Sequence, residues 1–204
     1  MAIISNATTI ADAGAFSVSL GSMVHIKTLT ASSSATLSFV DGTDSVVLDS
    51  TYPIYVFKFI NIHPADNSRH FGVGFRDGGT DYDAVKTTTM IKAHHYESDS
   101  SAALAYNTGE DLAQSTAFQY LASDVGNLDD ECASGTMQLF NPSSTTFVKH
   151  FISKANCLLA NEQSIHFHVS GYVNTTTAID GVQFKMSSGN IDSGKIKLYG
   201  VKDS

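Results

Sequence analysis

Alternation of apolar and polar residues constrains this chain more than any other feature. It is clearest near the C-terminal end, over 179–201 (IDGVQFKMSSGNIDSGKIKLYGV). Val182, Phe184 and Met186 alternate with Gly181, Gln183 and Lys185; further on, Ile196 and Leu198 alternate with Lys195, Lys197 and Tyr199. A period of two puts one set on each face of a strand, so both pieces read as strands with an apolar inner face and a lysine-bearing outer face. The 187–194 connection predicts a hairpin with a long turn, Gly189 and Asn190 supplying positive φ and Ile191 tucked beneath it.

The same reading extends through the chain. Strands are expected at 24–29, 35–39, 45–48, 52–62, 70–75, 87–96, 133–140, 145–152 and 164–173. The most apolar of them, YPIYVFKFINI, has large side chains on both faces and is expected at the centre of a sheet. Ile54, Val56, Lys58, Ile60 and Ile62 fall on one side, with Tyr55, Phe57, Phe59 and Asn61 on the other. Residues 97–111 read as the longest loop, 77–83 (DGGTDYD) as a hairpin-type loop, and 112–126 as either a short helix or a strand. About ten strands at intervals of roughly 10–15 residues leave little room for crossover helices, which predicts an antiparallel two-layer sandwich or jelly roll. A length of 204 residues suits one such domain.

Residues 2–22 are small, Ser/Thr/Ala-rich and weakly patterned, yet Ile3, Ile4, Ile10, Phe16 and Val18 are more apolar than a solvated tail needs. The segment reads as an arm that docks on a neighbour. It lacks the basic n-region of a signal peptide, and no run reaches the ~18 apolar residues that span a bilayer, so no membrane partner is expected. Net charge is −8 and the 12 basic residues are scattered, which argues against nucleic acid as a partner. Cys132 and Cys157 sit in no CxxC or Cys/His run and read as two free buried thiols, or as a pair should strands bring them together.

Several stretches form a recognisable set: Ser50-Thr51-Tyr52 leading into the aromatic strand with His63-Pro64 after it, Phe75 to Gly79, and Leu139-Phe140-Asn141-Pro142 with Ser143 to Thr146. Gly171-Tyr172 with Asn174-Thr175-Thr176, and Gly189-Asn190-Ile191 with Leu198-Tyr199-Gly200, complete it. Together they resemble virion structural proteins of tailed bacteriophages, especially phages of marine bacteria and cyanobacteria. The resemblance runs from about Ser45 onward and leaves the arm uncovered. It implies a virion β-sandwich of jelly-roll type, met as a capsid decoration, tail-fibre or baseplate component. It also implies a homo-oligomer, a trimer in many such proteins, in contact with other virion proteins and assembled in the host cytoplasm. It carries no catalytic residues. The combined expectation is an all-β chain: an N-terminal arm, 1–22, followed by one antiparallel two-layer β-sandwich of jelly-roll type, 23–204. No enzymatic activity, cofactor or metal is expected, and recognition of a host-surface glycan is the alternative function.

Five groups of residues are candidates for chemistry. His166 and His168 flank Phe167, so a strand presents both imidazoles on one face, where a third ligand such as His150 would complete a metal site; solvent-facing imidazoles are the ordinary outcome. His94 and His95 point to opposite faces. Asp77, Asp81 and Asp83 share a glycine-containing loop that could hold Ca²⁺, although the EF-hand order is absent and Asp and Gly are common turn residues. Asp129-Asp130-Glu131 reads as a solvated acidic loop. Tyr82, Tyr96, Tyr106 and Tyr120 offer aromatic faces for sugar rings, or else cover sheet edges.

Overall fold

A computed structural model describes residues 22–203, together with the backbone of three short N-terminal strands, β1 (Ile3–Ser5), β2 (Thr8–Asp12) and β3 (Ala15–Phe16). Twelve further strands follow: β4 (Met23–Thr30), β5 (Leu37–Val40), β6 (Ile54–Pro64), β7 (Arg69–Arg76), β8 (Lys86–Tyr96) and β9 (Ala102–Tyr106), then β10 (Gln119–Val125), β11 (Ala133–Phe140), β12 (Lys149–Leu159), β13 (Gln163–Val173), β14 (Gly181–Met186) and β15 (Ile191–Val201). There is no helix among the described residues, so none is long and apolar enough to cross a membrane. Every pairing is antiparallel, and the chain is all-β.

β1, β2 and β3 pair with one another in a small separate sheet. Their side chains, and the expected docking of the arm, lie outside the described residues. The other twelve strands form one nearly barrel-like sheet. Eight of them run in the order β4-β15-β6-β11-β12-β13-β8-β9 and four in the order β5-β14-β7-β10, joined where Val125 of β10 pairs with Leu159 of β12. The apolar faces of the two runs meet in a single core. Phe184 of β14 contacts Phe57 and Phe59 of β6 at ring distances of 5.4 and 5.3 Å, and Phe75 of β7 contacts Phe151 of β12 at 5.0 Å. Alternation decides which side chains enter. Along β12, Lys149, Phe151, Ser153, Ala155, Cys157 and Leu159 are buried while His150, Ile152, Lys154 and Asn156 are exposed.

The C-terminal pair is not a hairpin. β14 bonds to β5 and β7, whereas β15 bonds to β4 and β6, so the 187–190 connection carries the chain from one run to the other. Alternation fixes the face a strand buries, not its partner, and both strands keep the expected inner residues. Gly189 does adopt positive φ (70°), Asn190 does not, and Ile191 is fully buried. The 77–83 loop is likewise a crossing rather than a hairpin turn, because β7 and β8 belong to different runs.

Other boundaries moved for local reasons. Residues 45–48 form no strand. Positive φ at Asp44 and Ser45 turns the chain, and Val46 and Leu48 enter the core from a loop held by Leu48 N–H on Asp41 Oδ1 at 2.8 Å. The strand expected at 145–152 starts at Lys149 and continues to Leu159, and the ambiguous 112–126 region contains strand β10. The 97–111 loop contains β9.

β6 is central, as its composition demands, but its faces switch midway. Asn61 takes φ 50°, and Phe59 to Ile62 spans two residues of β11, Gly135 and Ala133. Ile60 keeps the outward place that alternation gives it, but the bulge leaves Asn61 outward as well and turns Ile62 into the core beside Phe59, so the simple division into odd and even positions fails after Ile60. Gly194 on β15 packs against the bulge. A Cβ there would lie 2.4 Å from the Asn61 carbonyl oxygen, and its φ of 118° already excludes other residues without strain.

Candidate functional site

The segment after β9 continues along the same edge of β8 from Met90 towards Lys86, through Asn107 N–H on the Met90 carbonyl and Thr88 N–H on the Leu112 carbonyl. Past that point the inward positions of β8 are Lys92, His94 and Tyr96, all half-buried. They face a cavity of about 350 Å³. Ile165 and Phe167 of β13 and Leu159 of β12 give it an apolar floor, while Gln163, Asn161, Glu110 and Asp124 bring polar groups to its walls. Polar side chains converging over an apolar floor are the usual make-up of a small-ligand site.

One wall of this cleft is tightly organised. Ligand atoms of His70 (β7), Glu110 and Asp124 (β10) all lie within 4.8 Å of one another. The His70 ring stacks on Tyr120 at 4.6 Å, and its Nδ1 accepts the Asp124 N–H at 3.1 Å. The Ser123 hydroxyl donates to Glu110. Asp124 reaches this place through a positive φ of 54° at a register shift in β10. The Asp124 N–H on Nδ1 and the Ser123 hydroxyl on Glu110 tie the trio into a hydrogen-bonded wall. It was invisible in sequence, since its members are separated by 40 and 14 residues; the β7–β10 pairing brings His70 to Asp124, and the Ser123 hydroxyl holds Glu110 beside them.

The second surface is the outer face of the eight-strand run. Register aligns Lys58, Thr136, Lys154, His168, Ile91 and Tyr106 in one row across β6, β11, β12, β13, β8 and β9. Val56, Gln138, Ile152, Ser170 and Thr89 form the next row. In a chain of net charge −8, no outward position from β6 to β9 carries a carboxylate. Ile60, Ile91, Ile152, Leu104 and Tyr106 are all exposed on it.

His166 and His168 lie on this face together, as their spacing requires. Their cross-strand neighbours are Asn156 and Ala93 for His166, and Lys154 and Ile91 for His168; His150 sits further along, opposite Tyr172. No set of three metal-ligating groups among the described residues includes either histidine, and a lysine beside His168 repels a cation. His94 and His95 do face opposite ways, into the cleft and into solvent.

The carboxylates of Asp77, Asp81 and Asp83 do not gather into a ligand set either. Asp180 fastens their loop, pairing with Arg76 (Nε to Oδ1 2.9 Å) and accepting the Gly78 N–H at 3.4 Å. Asp83 and Asp77 act instead as distant counter-charges to two buried lysines that sequence patterning missed. Lys86 is fully buried and donates to the Ala117 carbonyl at 2.7 Å; burial pushes it down to about 8, with Asp83 opposing. Lys149 is also fully buried, donates to the Thr177 carbonyl at 2.5 Å, and is shifted downward by burial with Asp77 opposing. Each ammonium ties a strand start to a loop by satisfying carbonyls that lack other partners.

The 129–131 run is not simply a solvated loop. Glu131 is buried, its Oε2 accepts the Leu128 N–H at 2.6 Å, and its carboxylate occupies the space where a side chain on Gly126 would be. Cys132 and Cys157 are both free, the first half-buried and the second buried. Of the four tyrosines, Tyr96 lines the cleft, Tyr120 stacks on His70, Tyr82 is half-buried and Tyr106 lies at the sheet edge.

No protein-family model matches this chain, and no curated protein matches it. Among solved structures it is similar to a structural-genomics crystal structure of unknown function from Bacteroides ovatus, at 8% identity and a TM-score of 0.28. That match covers 50% of this chain and 45% of the other.

Proposed function

We propose that this chain is a non-enzymatic structural protein of a bacteriophage virion, a two-layer β-sandwich of jelly-roll type that works by sticking to copies of itself and to other virion proteins. It sits on the capsid surface or the tail as a homo-oligomer, a trimer in keeping with the family it resembles, and its first 22 residues form an arm that docks on the adjacent subunit. The observation that carries this reading is the broad carboxylate-free outer face with its exposed isoleucines. Charges cost most where an interface core excludes water, and such cores are depleted of them. The adjoining exposed apolar groups Ile91, Leu104 and Tyr106 support a contact surface at the β8–β9 end of that face. Removal of the first ~20 residues should leave the sheet folded by circular dichroism and abolish the oligomer in sedimentation analysis. A truncated protein that assembles normally refutes the docking arm.

A second reading, recognition of a host-surface glycan, is favoured by the cleft. The Tyr96 ring can stack on a sugar ring while Glu110, Asp124 and Gln163 bond its hydroxyls. Tyr96→Ala should weaken binding to the best-bound glycan of a glycan array about tenfold, a loss of ~1.4 kcal/mol. No binding of the wild type at micromolar concentration removes this reading and leaves the structural one untouched.

A further inference from the structure

β9 closes one edge of the eight-strand run, and among the described residues its strand partner is β8 alone. Natural edges are blunted by brevity, charge, proline or a bulge. The other outer edges follow that rule: β4 carries Lys27 and His25, and β5 is four residues long. β9, AALAY, has no charge, no proline and no register shift, and all five residues are exposed, Leu104 by 75%.

The hydrogen-bond phase of this edge is fixed. Asn107 N–H bonds to Met90 and Tyr96 N–H to Ser101, so the odd-numbered residues 101 to 107 bond to β8. In an antiparallel ladder the alternate residues then point their N–H and C=O groups away. Those residues are Ala102, Leu104 and Tyr106. From this phase we infer that β9 pairs antiparallel with β9 of a second copy about a two-fold axis at Leu104, joining two sheets edge to edge.

The register is self-complementary in three respects. Leu104 meets Leu104 of the second copy, and Ala102 meets Tyr106 on both sides of the axis, so every outward-bonding residue faces another and about six hydrogen bonds form. Small opposes large at each flanking pair. No charge is set against a like charge, because β9 has none. The Tyr106 hydroxyl donates to Asp111 at 2.7 Å, which holds the ring in place to cover the opposing alanine. Leu104, Tyr106 and Ile91 share the outer face here, so pairing would also set the most exposed ends of the two outer faces side by side. The link rests on the reading that the chain assembles with copies of itself, and it is compatible with a trimer built through other surfaces.

Leu104→Pro is the discriminating variant. It removes an N–H that points away from β8, so the monomer keeps its ladder while the edge loses its central bond. Leu104→Lys tests the same point by placing two ammonium groups face to face. In analytical ultracentrifugation both should weaken two-fold self-association at least about tenfold, each with wild-type circular dichroism. In the wild-type oligomer the Ala102, Leu104 and Tyr106 amides should be protected from hydrogen exchange, and in Leu104→Lys they should exchange freely. A wild type that is monomeric at 100 µM (roughly the scale of a weak contact) overturns the inference. So does an oligomer that survives both variants. If arm truncation dissolves that surviving oligomer, the structural reading stands and only the edge pairing falls.

Discussion

Phe184→Ala should lower the free energy of unfolding by about 3–5 kcal/mol, read from urea denaturation midpoints. Phe184 is fully buried at the centre of an aromatic group drawn from both runs of the sheet. Its ring lies 5.4 Å from Phe57 and 5.3 Å from Phe59 on β6, 5.7 Å from Phe71 on β7 and 6.3 Å from Phe39 on β5. Removal loses the transfer energy of a benzyl group and leaves a cavity whose walls are themselves rings held by strands, so little collapse can fill it. Edge-to-face pairs add a smaller share, about 0.5–1.5 kcal/mol each before coupling among them is considered. In a chain of this size the melting temperature should fall by roughly 10 °C. Phe147, 71% exposed, is the internal comparison: its alanine variant should change stability by no more than about 0.5 kcal/mol. A loss below about 1 kcal/mol for Phe184→Ala would mean that the two runs do not share this core.

The core was readable because it rests on a local rule. Phe151, Phe167, Phe184 and Leu198 all sit at alternating positions whose inner face is apolar, and a strand needs no distant information to decide which side chains it buries. Three kinds of feature escaped for a common reason: they depend on neighbours remote in sequence. The partners of β14 are β5 and β7, both over a hundred residues earlier, and nothing within 181–186 names them. The switch at Asn61 shows as a bulge only against β11 and β15, which must both accommodate it. The cleft gathers side chains from β8, β10, β12 and β13, and the local pattern around Lys92, His94 and Tyr96 is that of an ordinary strand. β9 escaped for a different reason. Three alanines in five residues have weak strand preference, so AALAY inside a polar stretch looks like loop until β8 pairs with it.

Stability should climb as pH rises from about 8 to 9, because of Lys86. Burial pushes this lysine from its ordinary 10.5 down to about 8, with Asp83 only partly opposing. Below pH 8 it is charged in both folded and unfolded chains, and the cost of burying the charge is fully present. Between 8 and 10.5 the unfolded chain holds a proton that the folded chain has released, so stability grows with pH, by on the order of 3 kcal/mol if the whole window is crossed. Lys149 is shifted in the same direction. The thiols act oppositely: burial holds Cys157 and Cys132 above their ordinary 9.0, so past that pH the unfolded thiols ionise first and stability is lost. Tyr55, also raised by burial, adds to that loss above pH 10. The wild type should therefore rise from pH 8 to 9 and then flatten. A Cys132→Ala, Cys157→Ala protein should keep rising to about pH 10, and adding Lys86→Met should remove most of the slope. The methionine also strands the Ala117 carbonyl at a cost of about 1–3 kcal/mol, but that cost does not vary with pH, so the slope and not the absolute stability is the quantity to compare. An unchanged slope after Lys86→Met would place the titrating charge elsewhere, since the Ala117 and Thr116 carbonyls would then be holding an ammonium that keeps its proton throughout this window.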